Sequence, residues 1–266
     1  MAETGIERIA AAFAAARAEG RAALMPYMMG GFPDMETSAA VIDAYADTGA
    51  DLIELGVPYS DPLADGPRIH AAGTAALAAG ARFESVMELC RRVSDRVPVL
   101  PMVYVNVVLT LGAERFAAAL ADAGAAGAIV PDLPRAEDPS VAEALLERGL
   151  APIAFVAPTT SPERLRRIAS EAVGFTYVVS LTGVTGERSE LPPELGELVA
   201  SVRDASDAPA AVGFGIGTPA QAAQVGAIAD GVIIGTRLVR AVADAPDADA
   251  AVDAVSAFMA DTRMAL

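Results

Sequence analysis

The feature that most constrains this chain is a repeated alternation of short apolar runs with longer stretches of helical periodicity. Runs rich in Val, Ile and Ala begin at Ala23, Asp51, Pro98, Gly127, Pro152, Phe175, Pro209 and Gly231. Such runs read as strands buried on both faces, the signature of a parallel sheet. Between and around them the spacing predicts helices over 4–18, from Asp34 or Thr37 to Tyr45, then 68–79, 83–93, 112–123, 138–148, 161–171, 193–203, 218–226 and 248–261. Thr4 and Glu7 form a capping box for the first. Eight strand-then-helix units in about 250 residues have the size of a closed (β/α)8 barrel. The runner-up, an open doubly wound sheet, lacks a GxGxxG after its first strand. No linker or shift in composition divides residues 1–266, so a single barrel domain with an extra N-terminal helix is expected.

Composition removes several chemistries. All 19 basic residues are Arg, so a Schiff base on a Lys of this chain, including attached pyridoxal, is excluded. His70 is the one histidine, which rules out a site built from several histidines, and no metal is expected. A formal charge of −16 argues against nucleic acid or an anionic membrane as partner. The single cysteine, Cys90, forms no intramolecular disulfide and reads as inert packing. The first residues carry acids where a signal peptide carries positive charge, and no apolar run reaches spanning length, so a cytoplasmic location is expected. The candidates left for chemistry are carboxylates, Tyr and backbone amides.

The stretch from Asp51 to Pro67, DLIELGVPYSDPLADGP, holds two carboxylates in an unusual setting. Strand alternation puts Ile53 and Leu55 on one face and Leu52 with Glu54 on the other, so one apolar face keeps an acid with no basic neighbour in sequence. The loop that follows ends near Asp65. It belongs to the longest strand-to-strand unit of the chain, and in such barrels the active site lies on the loops after the strands. Glu54, Asp65, Asn106, Asp132 and Thr185 all fall there, and the first two suit an acid/base pair.

Two glycine-rich turns follow the last two strands: GFGIGTP at Gly213–Pro219 and GVIIGTRL at Gly231–Leu238. Either alone reads as a tight turn. Together they fit a phosphate held by backbone amides at the start of a short extra helix, with Gly213, Gly215 and Gly235 allowing close approach and Thr236 donating a hydroxyl. The loop SLTGVTGERSELP at Ser180–Pro192 reads either as a lid centred on Thr185 or as a plain connection. Tyr104 and Tyr177 stand at strand ends, where a tyrosine serves packing more often than catalysis. His70 reads as a helix-surface or packing residue.

Taken in order, Glu54–Pro67, PDLP at Pro131–Pro134, TGVTG at Thr182–Gly186, GFGI at Gly213–Ile216 and the pair Gly235–Thr236 resemble the tryptophan synthase alpha chain family over nearly the whole length. The resemblance implies a (β/α)8 barrel that cleaves indole-3-glycerol phosphate to indole and glyceraldehyde 3-phosphate with no cofactor of its own. It implies Glu54 as acid and base, Asp65 as acceptor of the indole N–H, and Tyr177 beside the glutamate. It implies an indole pocket of Tyr27, Ile69, Met102, Ile129, Phe214 and Ile233, and a phosphate site of Gly186, Gly215, Gly235 and Thr236. The implied partner is a beta chain carrying pyridoxal phosphate in an alpha2beta2 complex, facing Asp61 and Asn106. A stand-alone lyase releasing free indole, and a non-catalytic phosphate-binding activator, remain as alternatives. The segment Met28–Pro33 replaces a Thr and an Asp common in the family, and Leu181 an Arg of some members, which bears on turnover and partner affinity rather than reaction type.

Overall fold

The computed structural model describes residues 3–133, 138–179, 194–213 and 215–266. Its strands are β1 (Ala23–Met29), β2 (Ile53–Gly56), β3 (Val99–Met102), β4 (Gly127–Ala128), β5 (Ala151–Pro152), β6 (Ala154–Val156), β7 (Thr176–Val179), β8 (Ala210–Gly213) and β9 (Gly231–Ile234). Seven are paired in parallel in the order β3-β2-β1-β9-β8-β7-β6, and β4 pairs with β5. β5 and β6 run in line, separated only by Ile153, and act as one strand of the ring. β4 joins them to β3: Ile129 N–H donates to the Pro101 carbonyl and Ile153 N–H to that of Ala128, at 2.9 and 3.0 Å. The ring therefore closes on eight strand positions, the (β/α)8 barrel the hydropathy pattern predicts, with no open edge among the described residues.

Helices surround the ring: α1 (Gly5–Ala18), α2 (Met35–Asp47), α3 (Pro67–Ala78), α4 (Phe83–Val93), α5 (Val105–Leu111), α6 (Ala113–Asp122), α7 (Ser140–Leu146), α8 (Pro162–Ser170), α9 (Leu195–Ala205), α10 (Pro219–Gly226), α11 (Thr236–Asp244) and α12 (Ala248–Ala265). The Thr4/Glu7 capping box is formed, with Glu7 N–H donating to Thr4 Oγ1 at 3.2 Å and Thr4 N–H to Glu7 Oε2 at 2.7 Å. Asp34 caps α2 through Thr37 N–H at 2.8 Å. Helix α5 departs from the sequence expectation. Its residues VNVVLTL fall between the expected strand and helix, where Asn106 is expected on a loop, and they are mostly β-branched, yet Asp132 accepts Val105 N–H at 2.8 Å and so caps the turn from another loop.

Alternation along the strands sorts the apolar residues into two layers. Leu52, Leu100, Ile129, Ile153, Phe175, Ala211 and Ile233 fill the barrel interior, and α1 closes it from below with Ile9 and Phe13. Phe13 meets Phe175 with ring centroids 5.6 Å apart. Ile53, Leu55, Val99 and Val212 face outward into the packing against the helices. The lower rim is fastened by Arg21, whose guanidinium bonds to both oxygens of Asp51 at 2.5 and 2.8 Å, while Asp51 Oδ2 also accepts Leu24 N–H. All strands run the same way, so their C-terminal ends collect at the opposite rim, where Glu54 and Tyr177 project inward. Among the described residues no helix is long and apolar enough to cross a membrane.

Candidate active site

At that upper rim lies a cleft lined by Tyr27, Glu54, Ala64, Asp65, Ile69, Met102, Tyr177, Gly213, Gly215, Ile216, Ile233, Gly235 and Thr236. Its walls derive from six strand ends and the loop after β2, so residues scattered over most of the chain converge because the barrel gathers strand termini.

Glu54 is buried, with 2% of its surface exposed, and no cation among the described residues pairs with it. Burial first, and the nearby Asp65 charge second, push its carboxyl up to about 8, while a hydrogen bond from the Tyr177 hydroxyl works in the opposite direction. Glu54 therefore holds its proton near neutrality yet can release it. Asp65 lies on the loop before α3 and is partly exposed. Its carboxyl is also raised by burial, but a hydrogen bond from Tyr104 and the neighbouring His70 both favour the ionised form. One cleft thus presents two carboxylates in different settings, the arrangement expected of an acid and an electrostatic acceptor.

The tyrosines are held by shape. Tyr177 stacks on Phe155 with centroids 4.9 Å apart, and its hydroxyl occupies the space a side chain on Gly213 would need, 2.3 Å from where a Cβ would sit. The Tyr27 hydroxyl fills the corresponding space over Gly56 at 2.2 Å. Gly213, expected from sequence to admit an anion, is thus required first by the Tyr177 ring. Gly235 is different: a Cβ there would meet only ordinary contacts with Tyr27 and its φ is negative, so no neighbour among the described residues demands glycine. Gly235 starts α11, whose N-terminus has no side-chain cap, and Gly215 holds a φ of 53°. Gly235 and Thr236 border the cleft at the N-terminus of α11, the positive end of a helix and a setting for a phosphate, and Gly215 borders it from the loop after β8.

Of the residues expected from sequence, Glu54, Asp65, Tyr177, Tyr27, Ile69, Met102, Ile233, Gly215, Gly235 and Thr236 come together here. Ile129 does not reach the wall. It is fully buried in the barrel interior, bridged to Met102 on the neighbouring strand. Phe214, Thr185, Gly186, Leu181 and Pro134 lie outside the described residues. Asp61, on the loop after β2, and Asn106, in α5, are exposed. Ala64 and Ile216 join the wall without a role assigned from sequence, and Tyr104, which reads from sequence as packing more often than catalysis, donates its hydroxyl to Asp65 at 2.9 Å. The signal available for Tyr104 was its place at the end of a strand. Cys90 is buried and its thiol is pushed up to about 12, which fits an inert packing role. Among the described residues no group of three or more His, Cys, Asp or Glu side chains is placed to hold a metal ion.

The family model of the tryptophan synthase alpha chain matches residues 13–265. The tryptophan synthase alpha chain of Gloeobacter violaceus is 46% identical over 241 residues, 90% of this chain and 87% of that one. That of Acidiphilium cryptum is 45% identical over 247 residues, 92% and 90% of the two chains. A solved structure of Mycobacterium tuberculosis tryptophan synthase superposes with a TM-score of 0.90 at 39% identity, covering 97% of both chains. The Legionella pneumophila tryptophan synthase subunit alpha gives 0.87 at 34% identity, again over 97% of each.

Proposed function

Since the chain belongs to the tryptophan synthase alpha chain family, we propose that it cleaves indole-3-glycerol phosphate to indole and glyceraldehyde 3-phosphate in tryptophan biosynthesis. The observation that carries the chemistry is Glu54: buried, unpaired with any cation among the described residues, and raised to about 8 within reach of Tyr177.

Indole is a poor leaving carbanion and has to depart with its ring carbon protonated. In the proposed reaction Glu54 gives its proton to C3 of the indole, leaving positive charge on the ring nitrogen, whose N–H donates to the ionised Asp65. Glu54, now a carboxylate, takes the proton of the hydroxyl on the adjacent glycerol carbon. The O–H electrons form the aldehyde C=O, the carbon–carbon bond breaks, and its electrons restore the C2–C3 double bond of neutral indole. Glu54 ends protonated as it began. Tyr177 orients Glu54, Tyr27, Ile69, Met102 and Ile233 enclose the ring, and Ile129 and Phe214 are assigned to the same pocket from sequence. The amides at Gly215 and Gly235 with the Thr236 hydroxyl, joined by Gly186 from the loop after β7, hold the phosphate, and Thr185 serves the lid.

The proposed partner is a beta chain carrying pyridoxal phosphate, assembled as alpha2beta2 against the rim that bears Asp61 and Asn106. This chain has no Lys to attach that cofactor itself. The proposed location is the cytoplasm, and residues 1–266 are read as one domain. Indole release from indole-3-glycerol phosphate, measured with purified chain alone and with a beta chain added, tests the proposal. Turnover lost in Glu54→Gln with binding of the product phosphate retained is the expected result, and release of no indole by the unaltered chain under either condition overturns it.

A further inference from the structure

We propose that Tyr104 is the positioning residue for Asp65, and that Tyr59 and Asn106 complete a brace running from the protein surface to that carboxylate. This rests on the role given to Asp65 above and adds residues to it.

Tyr104 stands where β3 passes into α5, so the barrel fixes its backbone: its carbonyl accepts Val107 N–H at 3.0 Å, and the next amide, Val105 N–H, is taken by Asp132 at 2.8 Å. Its hydroxyl has two partners, both on the loop after β2. It donates to Asp65 Oδ1 at 2.9 Å and accepts Ala64 N–H at 3.1 Å. One phenol thereby pins the carboxylate and the amide just before it. The ring lies on Tyr59 of the same loop, with centroids 5.3 Å apart and planes at 26°. The Tyr59 hydroxyl accepts from Asn106 Nδ2 at 2.8 Å, and Asn106 lies in α5, two residues after Tyr104. The contacts form a closed circuit. The strand-to-helix junction supplies Tyr104 and Asn106, and the loop supplies Tyr59, Ala64 and Asp65.

Packing alone does not explain this arrangement. Tyr104 is 3% exposed, and a phenylalanine would fill the same space. Both hydroxyl bonds go to the loop. That loop is rich in proline and exposed around Asp61, with Leu63 87% exposed, so little apolar burial holds it down. Polar bonds to a barrel-fixed side chain place the Asp65 oxygens before substrate arrives, which avoids spending binding energy on ordering them. The ionisable groups facing Asp65 are Tyr27 from β1, Glu54 from β2, Tyr104 from the β3–α5 junction and His70 from α3.

Tyr104→Phe keeps the ring and its stacking and removes both hydroxyl contacts. The expected result is a fall in kcat for indole-3-glycerol phosphate of roughly 10- to 100-fold, with KM changed less than about twofold. The Asp65 carboxyl, followed by 13C NMR and assigned with Asp65→Asn, titrates about one pH unit higher, because a donor to its ionised form is gone. Tyr59→Phe and Asn106→Ala each give a smaller fall of the same kind, and the double variant falls no further than either. Unchanged kcat and an unchanged Asp65 titration in Tyr104→Phe overturn the proposal, and additive losses in the outer pair overturn the part given to Tyr59 and Asn106. If the unaltered chain releases no indole, the functional reading fails while the Asp65 titration still decides the brace. If Tyr104→Phe does not fold, the same titration in Tyr59→Phe decides it: an upward shift supports the brace and none refutes it.

Discussion

Replacing Glu54 by Gln should stabilise the protein increasingly as pH rises, by an amount set by the depth of the side chain. The carboxyl sits at about 8 in the folded chain against 4.5 when unfolded, with burial the larger cause and Asp65 the second. Between these values the folded state keeps a proton that the unfolded state releases. Stability attributable to this group is therefore complete below about pH 4.5 and is lost as pH rises through about 8. At roughly 1.4 kcal/mol per pH unit the whole effect is about 5 kcal/mol, of which about 3 is already lost at pH 7. The amide of the Glu54→Gln variant cannot ionise and still offers an oxygen to the Tyr177 hydroxyl, so its own curve lacks this contribution. Urea unfolding of both proteins at intervals from pH 5 to 9 gives the comparison, and subtracting the two at each pH cancels other titrations apart from the coupling to Asp65. The stability gap should be less than about 1 kcal/mol at pH 5 and widen to roughly 5 by pH 9. A gap constant across that range would mean that water hydrates Glu54 as it does a surface carboxylate, and the assignment of an acid protonated near neutrality would fall with it.

Asp65→Asn removes the second cause of the Glu54 shift, so the basic limb of any residual pH–rate profile should move down, with kcat reduced at least ~100-fold; a limb that stays in place refutes the coupling. Gly213→Ala drives a methyl into the Tyr177 hydroxyl, and activity should fall more than ~10-fold while Gly235→Ala chiefly raises KM, both read from initial rates. Arg21→Ala leaves Asp51 beneath the barrel with only the longer contact to Arg263 at 3.8 Å and should cost about 2 kcal/mol in urea unfolding with kcat unchanged.

Much of this architecture is legible in the sequence because hydropathy alternates with a period that matches the structure. Leu52 and Glu54 inward with Ile53 and Leu55 outward follows from period two alone. Periodicity gives the direction of a side chain but not its height along the barrel. Ile129, which the family resemblance puts in the pocket, is fully buried beside Met102 and is not among the residues lining the cleft. Helix α5 escaped because its residues favour strand, and the group that caps it, Asp132, arrives from 27 residues away. The Tyr104 to Asp65 bond spans 39 residues and the Tyr177 fit against Gly213 depends on two neighbouring strands. Contacts of that kind leave no local pattern to read.

Residue type does not divide the labour between the two acids. Each accepts a phenol hydrogen bond, Glu54 from Tyr177 and Asp65 from Tyr104, and each is raised by burial. The difference lies in depth. Glu54 stands within the ring of strands, where water is excluded and the nearby charge, that of Asp65, is negative, so the neutral form wins. Asp65 stands at the edge, partly in water and beside His70, where a hydrogen bond to the charged form counts for more. A closed barrel offers such a gradient over the length of one side chain, dry at the strand ends and wet at the loops. Setting one carboxylate on the strand and the other on its following loop gives the two acids of one cleft different surroundings, Glu54 buried and Asp65 partly exposed.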